Sequence, residues 1–535
     1  MRSFAGVLQT DGSSPDPNLL QHLGAIIRLE ASSAPVVTLD DRCGMVVVTH
    51  AADSGAELQT SFGGVPESLA HIHTEFSFAI WDPQRRELFC ARDRFGVRPF
   101  YYAPTSRAFV FSDSLDAVIA HPDVRIDELD EGAVADYLDN GVIQDAEATI
   151  YANVRRLPPA HVLRCSDDGG ITLERYWTLP MREPTPRRDA VERLEAALKN
   201  AIAERVTASV AVVFMSGGLD STLLAALTRE VRPETRLLAW TSVYRSRIAD
   251  VEEPFAVEAA QSIGIPIRTF PLDDYPPLQA LDANIWTAEP GPLLTAPMTR
   301  DIYRAAAEHA PVAIHGHPAD AVFSADLTSY LRGLPPMQRI AQLIRYTAFR
   351  RRPPYFFFRP RRATMRKSTM RRSSPDWLLA RRESGSPSIE PLASPIWSSY
   401  FEWAHPLLTR APIELVYPWC DARVIEAAFG LEPIPWLVEK QVVREMLRGR
   451  VSERIRRRRK SWLGGDPWRA ALPPDRDLEI AAATRFIEPQ RFREACRVDG
   501  FLSDRTLRAV VFEFWLRKLP NAVNRFQPSL GELRA

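Results

Sequence analysis

The chain has 535 residues, of which 45% are hydrophobic and 25% are charged, and its 67 basic residues balance 67 acidic ones. This length predicts more than one domain. The composition excludes a disordered chain, and the lack of an apolar run of about 20 residues excludes a membrane span. The five cysteines are scattered and the N-terminus lacks a secretory h-region, so we expect a cytoplasmic chain. The net charge of zero gives no reason to expect a nucleic-acid partner.

The first 180 residues contain short apolar and aromatic runs separated by Gly, Pro and Asp, which is typical of strands in packed sheets. These runs lie at residues 46–50, 76–81, 87–91, 100–102 and 109–111. The pattern predicts a β-rich N-terminal domain over residues 1–180.

A stretch rich in proline and charge at residues 180–188 predicts a linker, and helical spacing of apolar residues follows at 190–205. Beyond it, strand-like runs alternate with helix-like segments. The strand-like runs are 209–215, 237–243, 266–270 and 311–315, and the helix-like segments are 223–228, 253–263 and 301–309. This alternation predicts an α/β domain with a doubly wound parallel sheet, and the remainder of residues 190–535 is predicted to be mainly helical.

A glycine-containing loop, Ser-Gly-Gly-Leu-Asp-Ser-Thr at residues 216–222, connects the first of these strands to a helix. A helix start after a glycine turn presents several backbone N–H groups to one anion, and glycine lets the backbone approach that anion closely. The loop lacks the Lys-[Ser/Thr] ending of a P-loop. It resembles the pyrophosphate loop of ATP pyrophosphatases, which cleave ATP between its α- and β-phosphates; the alternative is an ordinary turn.

Residues 345–372 contain eleven Lys or Arg and no Asp or Glu, together with prolines and the aromatic run Tyr-Phe-Phe-Phe. This composition predicts an irregular basic insertion. Three interpretations stay open: a solvated or partly disordered loop, a docking surface for an acidic or peptide partner, and a nucleic-acid contact, which nothing elsewhere in the chain supports.

Several motifs together resemble the asparagine synthetase superfamily. Residues 76–82, 91–102, 158–161 and 175–177 resemble the glutaminase-type domain of asparagine synthetases. The loop at 216–222 and the segments 316–323, 417–421 and 457–462 resemble the synthetase domain's ATP loop, second acidic loop, "PFLD" element and catalytic-lysine loop. The resemblance spans nearly the whole chain. It implies an Ntn-hydrolase-like domain at 1–180 joined to an ATP-pyrophosphatase-type synthetase domain at 190–535, with the basic insertion at 345–372.

The sequence departs from the family at the glutaminase nucleophile. Glutaminases of this family use an N-terminal cysteine, with the terminal amine as base. Here Arg2 occupies that position, no cysteine lies in the first forty residues, and residues 46–62 contain no Asn-Gly-Glu. We therefore expect an inactive glutaminase domain. The nucleophile is then an amine already on the substrate, as in the ring-closing β-lactam and carbapenam synthetases and the lasso-peptide cyclases.

His317 lies three residues before Asp320, where asparagine synthetases have Glu and β-lactam synthetases have Tyr. A histidine with a pKa of about 6.5 can deprotonate an ammonium at neutral pH, so His317 is a candidate catalytic base; structural packing against the adenylate is the alternative. The missing tyrosine counts against β-lactam closure, and the basic insertion favours a peptide substrate. The chain therefore resembles a lasso-peptide macrolactam synthetase.

The resemblance also assigns the other site residues. Asp220 and Asp320 match carboxylates that bind Mg²⁺, which takes one or two carboxylates plus phosphate oxygens. Val243 matches a position near adenine. Lys460 matches the catalytic lysine, which is needed where negative charge develops on the α-phosphate, although its run of arginines is also typical of a solvated basic face. The residues assigned to ATP binding are Ser216, Gly217, Gly218, Asp220, Ser221, Thr222, Val243 and Gly316.

The implied reaction has two steps, in which ATP adenylates an Asp or Glu side chain of a ribosomal peptide and the peptide's N-terminal amine then closes the ring. The expected partners are the precursor (core) peptide, a leader peptidase and a leader-binding protein. Three alternatives stay open: a β-lactam-synthetase-type cyclase of a small β-amino acid, an amidotransferase that uses free ammonia, and a non-enzymatic scaffold.

Overall fold

The computed structural model describes residues 2–30, 32–50, 69, 71–184, 189–276, 285–324, 326–351, 376, 378–379, 392, 394–459, 479–498 and 504–526. Within these residues the strands form three sheets, two antiparallel ones in the N-terminal domain and one parallel sheet after it. No helix in the described part of the chain combines the length and the hydropathy needed to cross a membrane.

The N-terminal domain contains two antiparallel sheets that pack face to face. One has the strand order β2-β3-β1-β7-β6-β8 and the other β10-β9-β5-β4. Phe4 and Phe111 from the first sheet share a buried cluster with Leu88 and Leu163 from the second. The strands are β1 Arg2–Gln9, β2 Val36–Leu39, β3 Cys43–Thr49, β4 Ser77–Asp82, β5 Glu87–Arg92, β6 Tyr101–Pro104, β7 Ala108–Ser112, β8 Arg155–Arg156, β9 His161–Ser166 and β10 Ile171–Arg175.

Three helices accompany these sheets: α1 Pro17–Ile26, α2 Leu115–Ile119 and α3 Glu131–Asn140. Each begins at a polar residue whose side-chain oxygen accepts a hydrogen bond from a backbone N–H of the first turn, namely Asp16, Ser114 and Asp130. Such caps satisfy N–H groups that have no partner within the helix, so the sequence itself marks where each helix starts.

The synthetase-like domain is built on a parallel sheet with the order β13-β12-β11-β14-β15. Its strands are β11 Val210–Phe214, β12 Arg236–Val243, β13 Ile267–Pro271, β14 Val312–Ile314 and β15 Glu414–Val416. The chain moves outward in one direction from β11 to β13 and then crosses to β14 on the other side of β11. Ligands of such sheets bind outside the carboxyl ends of the strands at this reversal.

Helices surround this sheet and continue beyond it. Buried side chains of α4 and α5, among them Leu194 and Leu223, pack with Val213 of β11 and Ile425 of α13 in one apolar cluster. The helices are α4 Ala190–Arg205, α5 Leu219–Val231, α6 Glu253–Ile263, α7 Ala296–Ala307, α8 Ala319–Val322, α9 Leu327–Gly333, α10 Pro336–Arg350, α11 Ile396–Ala404, α12 Pro406–Thr409, α13 Ala422–Phe429, α14 Pro433–Trp436, α15 Gln441–Met446, α16 Glu453–Arg456, α17 Pro489–Val498 and α18 Asp504–Phe526.

Buried charges and one long helix join the two domains. Glu402 of α11 accepts hydrogen bonds from Arg92 and Arg156 of the N-terminal domain, and all three side chains are almost fully buried. Arg98 pairs with Glu414 of β15 in the same way. The C-terminal helix α18 returns to the N-terminal domain, where Phe512 and Trp515 share a core with residues of α3.

The predicted fold class is confirmed, and the predicted helices 190–205 and 253–263 coincide with α4 and α6. The helix predicted at 301–309 is longer at its start, because Pro297 occupies the first turn of α7 and begins it at Ala296. The insertion predicted as irregular from residue 345 begins as a helix, since Tyr346 of α10 is buried against Leu331, Ile434 and Val438. Residues 352–372 of that insertion, and residues 185–188 of the predicted linker, lie outside the described residues.

Candidate active site

The predicted nucleotide loop connects β11 to α5 at the carboxyl edge of the sheet. Gly217 adopts a left-handed conformation with φ of 68°. A Cβ atom at this position would lie 2.5 Å from the backbone N of Ala256 and the backbone C of Phe255 in α6. Both the conformation and the close approach therefore require glycine, and α5 starts directly after Gly218 with its first N–H groups facing the loop.

A cavity of about 900 Å³ lies above this edge of the sheet. This volume lies in the upper part of the range of small-molecule sites, about 300–1,000 Å³. Its walls come from the ends of β11 and β12, the segment after β14, helices α7 and α11, and two segments near residues 440 and 458. The lining residues used below are Ser216, Gly218, Asp220, Ser221, Trp240, Thr241, Ser242, Tyr303, His315, Gly316, His317, Asp320, Tyr400, Glu439, Lys440, Arg444, Arg458 and Arg459.

Two carboxylates converge on one ammonium group in this cavity. Lys440 Nζ lies 2.6 Å from Asp320 Oδ1 and is also hydrogen-bonded to Asp220 Oδ2. Asp220 and Asp320 are therefore close enough for both to contact a single cation. Carboxylate oxygens are the ligands that Mg²⁺ prefers, and it keeps further positions for water and phosphate oxygens. The two residues thus fit the predicted Mg²⁺ site.

Lys440 is a residue of this site that the sequence analysis missed. It follows Glu439 in a turn where both residues have positive φ, 50° and 56°, directly before α15. It meets Asp220 across 220 residues of sequence. The only local signal is a lysine that precedes a short helix, which many surface lysines share. Lys460, the predicted catalytic lysine, lies outside the described residues and stays a prediction.

Aromatic rings form the wall near the acidic loop. The His317 ring lies 4.7 Å from the Tyr400 ring and 5.3 Å from the His315 ring, centroid to centroid. Tyr303 Oη lies 3.4 Å from His315 Nε2. Desolvation lowers the pKa of His315 well below its usual value, and neighbouring His317 lowers it further. His315 is therefore neutral, whereas His317 is exposed at the cavity wall and is the histidine placed to exchange a proton with solvent.

The other predicted site residues divide into two groups. Ser216, Gly218, Ser221 and Gly316 line the cavity together with Asp220, Asp320 and His317. Gly217, Thr222 and Val243 do not. Gly217 shapes the loop from behind, and Thr222 and Val243 are fully buried. On β12 the cavity wall is formed instead by Trp240, Thr241 and Ser242. Val243 lies at the end of this strand, as predicted, but its side chain does not line the cavity.

Arg458 supports the nucleotide loop. Its guanidinium donates a hydrogen bond of 2.9 Å to the Ser216 carbonyl, lies 3.5 Å from Glu252 and covers the Phe255 ring at 4.2 Å. The arginine run 456–459 was predicted as a solvated basic face with a single functional lysine after it. The structure shows that Arg458 in this run is buried and holds the loop, while Arg457 and Arg459 are exposed.

The N-terminal domain contains no comparable convergence at its cysteines. Cys43, Cys90 and Cys165 are the three cysteines of residues 1–180, and all are buried. Burial raises the pKa of Cys43 and of Cys165 to about 12, and that of Cys90 well above its usual value. A nucleophilic cysteine needs an accessible thiolate, so none of these thiols is suited to attack glutamine.

Comparison with known families decides the classification. The asparagine synthase family matches residues 193–472, just over half of the chain. The chain belongs to the asparagine synthase family. A glutamine amidotransferase domain family matches residues 56–177, so the N-terminal part is glutaminase-like in sequence as well as in its two packed antiparallel sheets.

Three curated relatives illustrate the range of similarity within this family. Asparagine synthetase [glutamine-hydrolyzing] 3 of Bacillus subtilis is 33% identical over 163 residues, which cover 30% of this chain and 26% of that protein. A putative asparagine synthetase of Mycobacterium bovis is 29% identical over 276 residues, 48% of this chain and 40% of that protein. A putative asparagine synthetase of Methanocaldococcus jannaschii is 32% identical over 166 residues, 30% of this chain and 32% of that protein. The chain thus spans between a quarter and two fifths of these relatives.

Proposed function

We propose that this member of the asparagine synthase family uses ATP to form an amide bond, and that this bond closes a macrolactam ring on a ribosomal peptide. The observation that carries the proposal is the cavity of about 900 Å³, in which the nucleotide loop, two carboxylates and Lys440 face an aromatic wall with His317. A cavity of this size offers room for a nucleotide and an acyl substrate together.

The first step is adenylation of a side-chain carboxylate. A carboxylate oxygen of the peptide attacks the α-phosphorus of ATP, the bond from that phosphorus to the bridging oxygen of the β-phosphate breaks, and pyrophosphate leaves. Ser216, Gly218 and Ser221 lie where N–H groups at the start of α5 bind the departing phosphates. Mg²⁺ bound by Asp220 and Asp320 would neutralise phosphate charge. Lys440 is placed to stabilise the negative charge that develops on the α-phosphate.

The second step is aminolysis. The peptide's N-terminal amine attacks the acyl carbon, the bond from that carbon to the phosphate oxygen breaks, and AMP leaves. The amine must lose one proton, and His317 lies on the cavity wall where it can accept it. Holding the folded-back peptide so that amine and acyl carbon meet supplies much of the rate, because a bimolecular encounter becomes an intramolecular one.

The burial of these thiols supports a reaction in which the attacking amine is part of the substrate itself. A glutamine-dependent member of the family needs a cysteine to release ammonia from glutamine, and Cys43, Cys90 and Cys165 are not placed to do so. The predicted partners, a precursor peptide with its leader peptidase and leader-binding protein, follow from this proposal.

The test is a reaction of the purified chain with ATP, Mg²⁺ and leaderless candidate peptides that carry a free N-terminal amine and an Asp or Glu side chain. We expect AMP and pyrophosphate in equal amounts, a peptide that has lost one water, and resistance of that peptide to N-terminal sequencing. Closure of a small β-amino acid with no change in any peptide would contradict macrolactam formation. Stoichiometric ADP would contradict the adenylation step itself.

A further inference from the structure

Arg444, on the second turn of α15, holds together two segments of the cavity wall. Its Nε donates a hydrogen bond of 2.9 Å to the Glu439 carbonyl. Its two terminal nitrogens donate to the carbonyls of Arg456 and Arg458, at 2.6 and 2.8 Å. One rigid guanidinium therefore fixes the turn that carries Lys440 and the segment that carries Arg458 in a single arrangement.

The turn that carries Lys440 needs such a restraint. Glu439 and Lys440 both have left-handed φ values, 50° and 56°. This region costs non-glycine residues about 1–2 kcal/mol each, so the conformation persists only where surrounding contacts hold it. The Glu439 carbonyl lies between these two residues in sequence, and Arg444 is its hydrogen-bond donor. This contact acts directly on the peptide bond that orients Lys440.

The hydrogen bonds of Arg444 complete a closed circuit around the phosphate end of the cavity. Arg458 donates to the Ser216 carbonyl of the nucleotide loop. Arg444 joins Arg458 to Glu439, and the adjacent Lys440 returns to Asp220 at the start of α5, directly after the same loop. The loop, the carboxylate and the ammonium are thus fixed relative to one another through Arg444.

We propose that Arg444 is a positioning residue that sets Lys440 against the two carboxylates and keeps the nucleotide loop in register with them. Its kinetic consequence rests on the proposed adenylation, whereas its structural consequence does not. Groups that hold a functional side chain in place typically contribute about 10- to 100-fold to activity.

The structural test uses Arg444→Ala and a matched control, Arg448→Gln. Arg448 follows one turn later, its side chain is 65% exposed, and within the described part of the chain it pairs with Glu445 at 2.7 Å. We expect hydrogen exchange at the backbone amides of Lys440, Arg457 and Arg458 to become at least about 10-fold faster in Arg444→Ala and to stay unchanged in Arg448→Gln. Unchanged exchange in Arg444→Ala would overturn the proposal, whatever reaction the enzyme catalyses.

The kinetic test separates positioning from direct contact, because Arg444 also lines the cavity. We expect single-turnover adenylation to fall about 10- to 100-fold in Arg444→Ala, with partial recovery in Arg444→Lys or on addition of guanidinium. The loss in Arg444→Ala combined with Lys440→Ala should be smaller than the two single losses combined, since part of the effect of Arg444 passes through Lys440. Fully additive losses would show that none of it passes through Lys440 and would overturn the proposal. If hydrogen exchange becomes faster in Arg444→Ala but the unmodified protein adenylates no peptide, the proposed function is refuted and the positioning role of Arg444 stands.

Discussion

The two domains of this chain use charged side chains in opposite ways. In the synthetase domain, Asp220, Asp320 and Lys440 meet at the wall of an open cavity, where an incoming ligand can exchange with their partners. In the glutaminase-like domain, Arg92, Arg98 and Arg156 direct their guanidinium groups into the interface with the synthetase domain. The first arrangement supports chemistry and the second supports packing.

This difference gives a structural role to a domain whose three cysteines are all buried. The arginines of the glutaminase-like domain bind Glu402 of α11 and Glu414 of β15. Helix α11 also carries Tyr400 into the cavity wall, and β15 hydrogen-bonds to β14 beside the acidic loop. The N-terminal domain thus braces the elements that form the active site, and we expect it to be retained for this reason. The four predictions below test that division of roles.

The largest effect is expected at Lys440. Lys440→Ala should lower single-turnover adenylation by about 10²- to 10³-fold, because it removes a cation placed to stabilise transition-state charge. The affinity for the ATP analogue α,β-methylene-ATP, measured by calorimetry, should change much less. The control is Lys199→Ala, since Lys199 also bridges two carboxylates, Glu195 and Glu230, but on a helix surface. A larger loss in Lys460→Ala than in Lys440→Ala would return the catalytic role to Lys460.

The next effect tests the interface. Glu402→Gln removes the carboxylate shared by Arg92 and Arg156 inside the protein, and breaking a buried pair in this way costs about 3–5 kcal/mol. Unfolding in guanidinium chloride should show that the free energy of unfolding of Glu402→Gln is lower than that of the wild type by this amount. Glu453→Gln, a surface change at the ion pairs with Arg456 and Arg457, should lower the free energy of unfolding much less. If Glu402→Gln unfolds the N-terminal domain alone and turnover persists, the bracing role is wrong.

A smaller effect concerns pH and lies within the N-terminal domain. Burial raises the pKa of Asp113 to about 7, while the Phe4 N–H, the Ser3 hydroxyl and Arg98 act in the opposite direction. The folded state therefore holds a proton that the unfolded state releases near pH 4. Stability from this group is full below pH 4 and is lost as the pH rises to about 7, by up to about 1.4 kcal/mol per pH unit.

Asp113→Asn should flatten this dependence. The free energy of unfolding of the variant relative to the wild type should rise between about pH 4 and 7 and stay constant above. A pH-independent difference for Asp113→Asn would show that this carboxyl is ionised throughout.

No effect at all is expected from glutamine. Cys43, Cys90 and Cys165 are buried and their raised pKa values disfavour the thiolate, so the N-terminal domain should release no glutamate. An enzymatic glutamate assay during product formation measures this. Glutamate released in step with product would contradict both the inactive domain and the substrate-borne amine.

Local patterns in the sequence were sufficient for the secondary structure that depends on them. The helix 190–205 follows from apolar spacing, and the β11–loop–α5 unit follows from an apolar run, glycines and a helix start. The alternation of strands and helices was sufficient to predict the parallel sheet, and the structure places residues 216–222 and Asp320 together at one edge of it. Those predictions succeeded because each rests on neighbours within a few residues.

Tertiary structure alone decided which lysine reaches the carboxylates and what the arginines do. Lys440 lies in a turn with two positive φ values, which no periodicity encodes, and its partners are 220 and 120 residues away. Arg458 and the exposed Arg457 are adjacent and identical in type, yet only Arg458 is held against Ser216. The sequence determined the elements and the chemical groups they carry. The packing of distant elements determined which of these groups meet. These contacts join residues that are far apart in the chain, so no local sequence pattern indicates them.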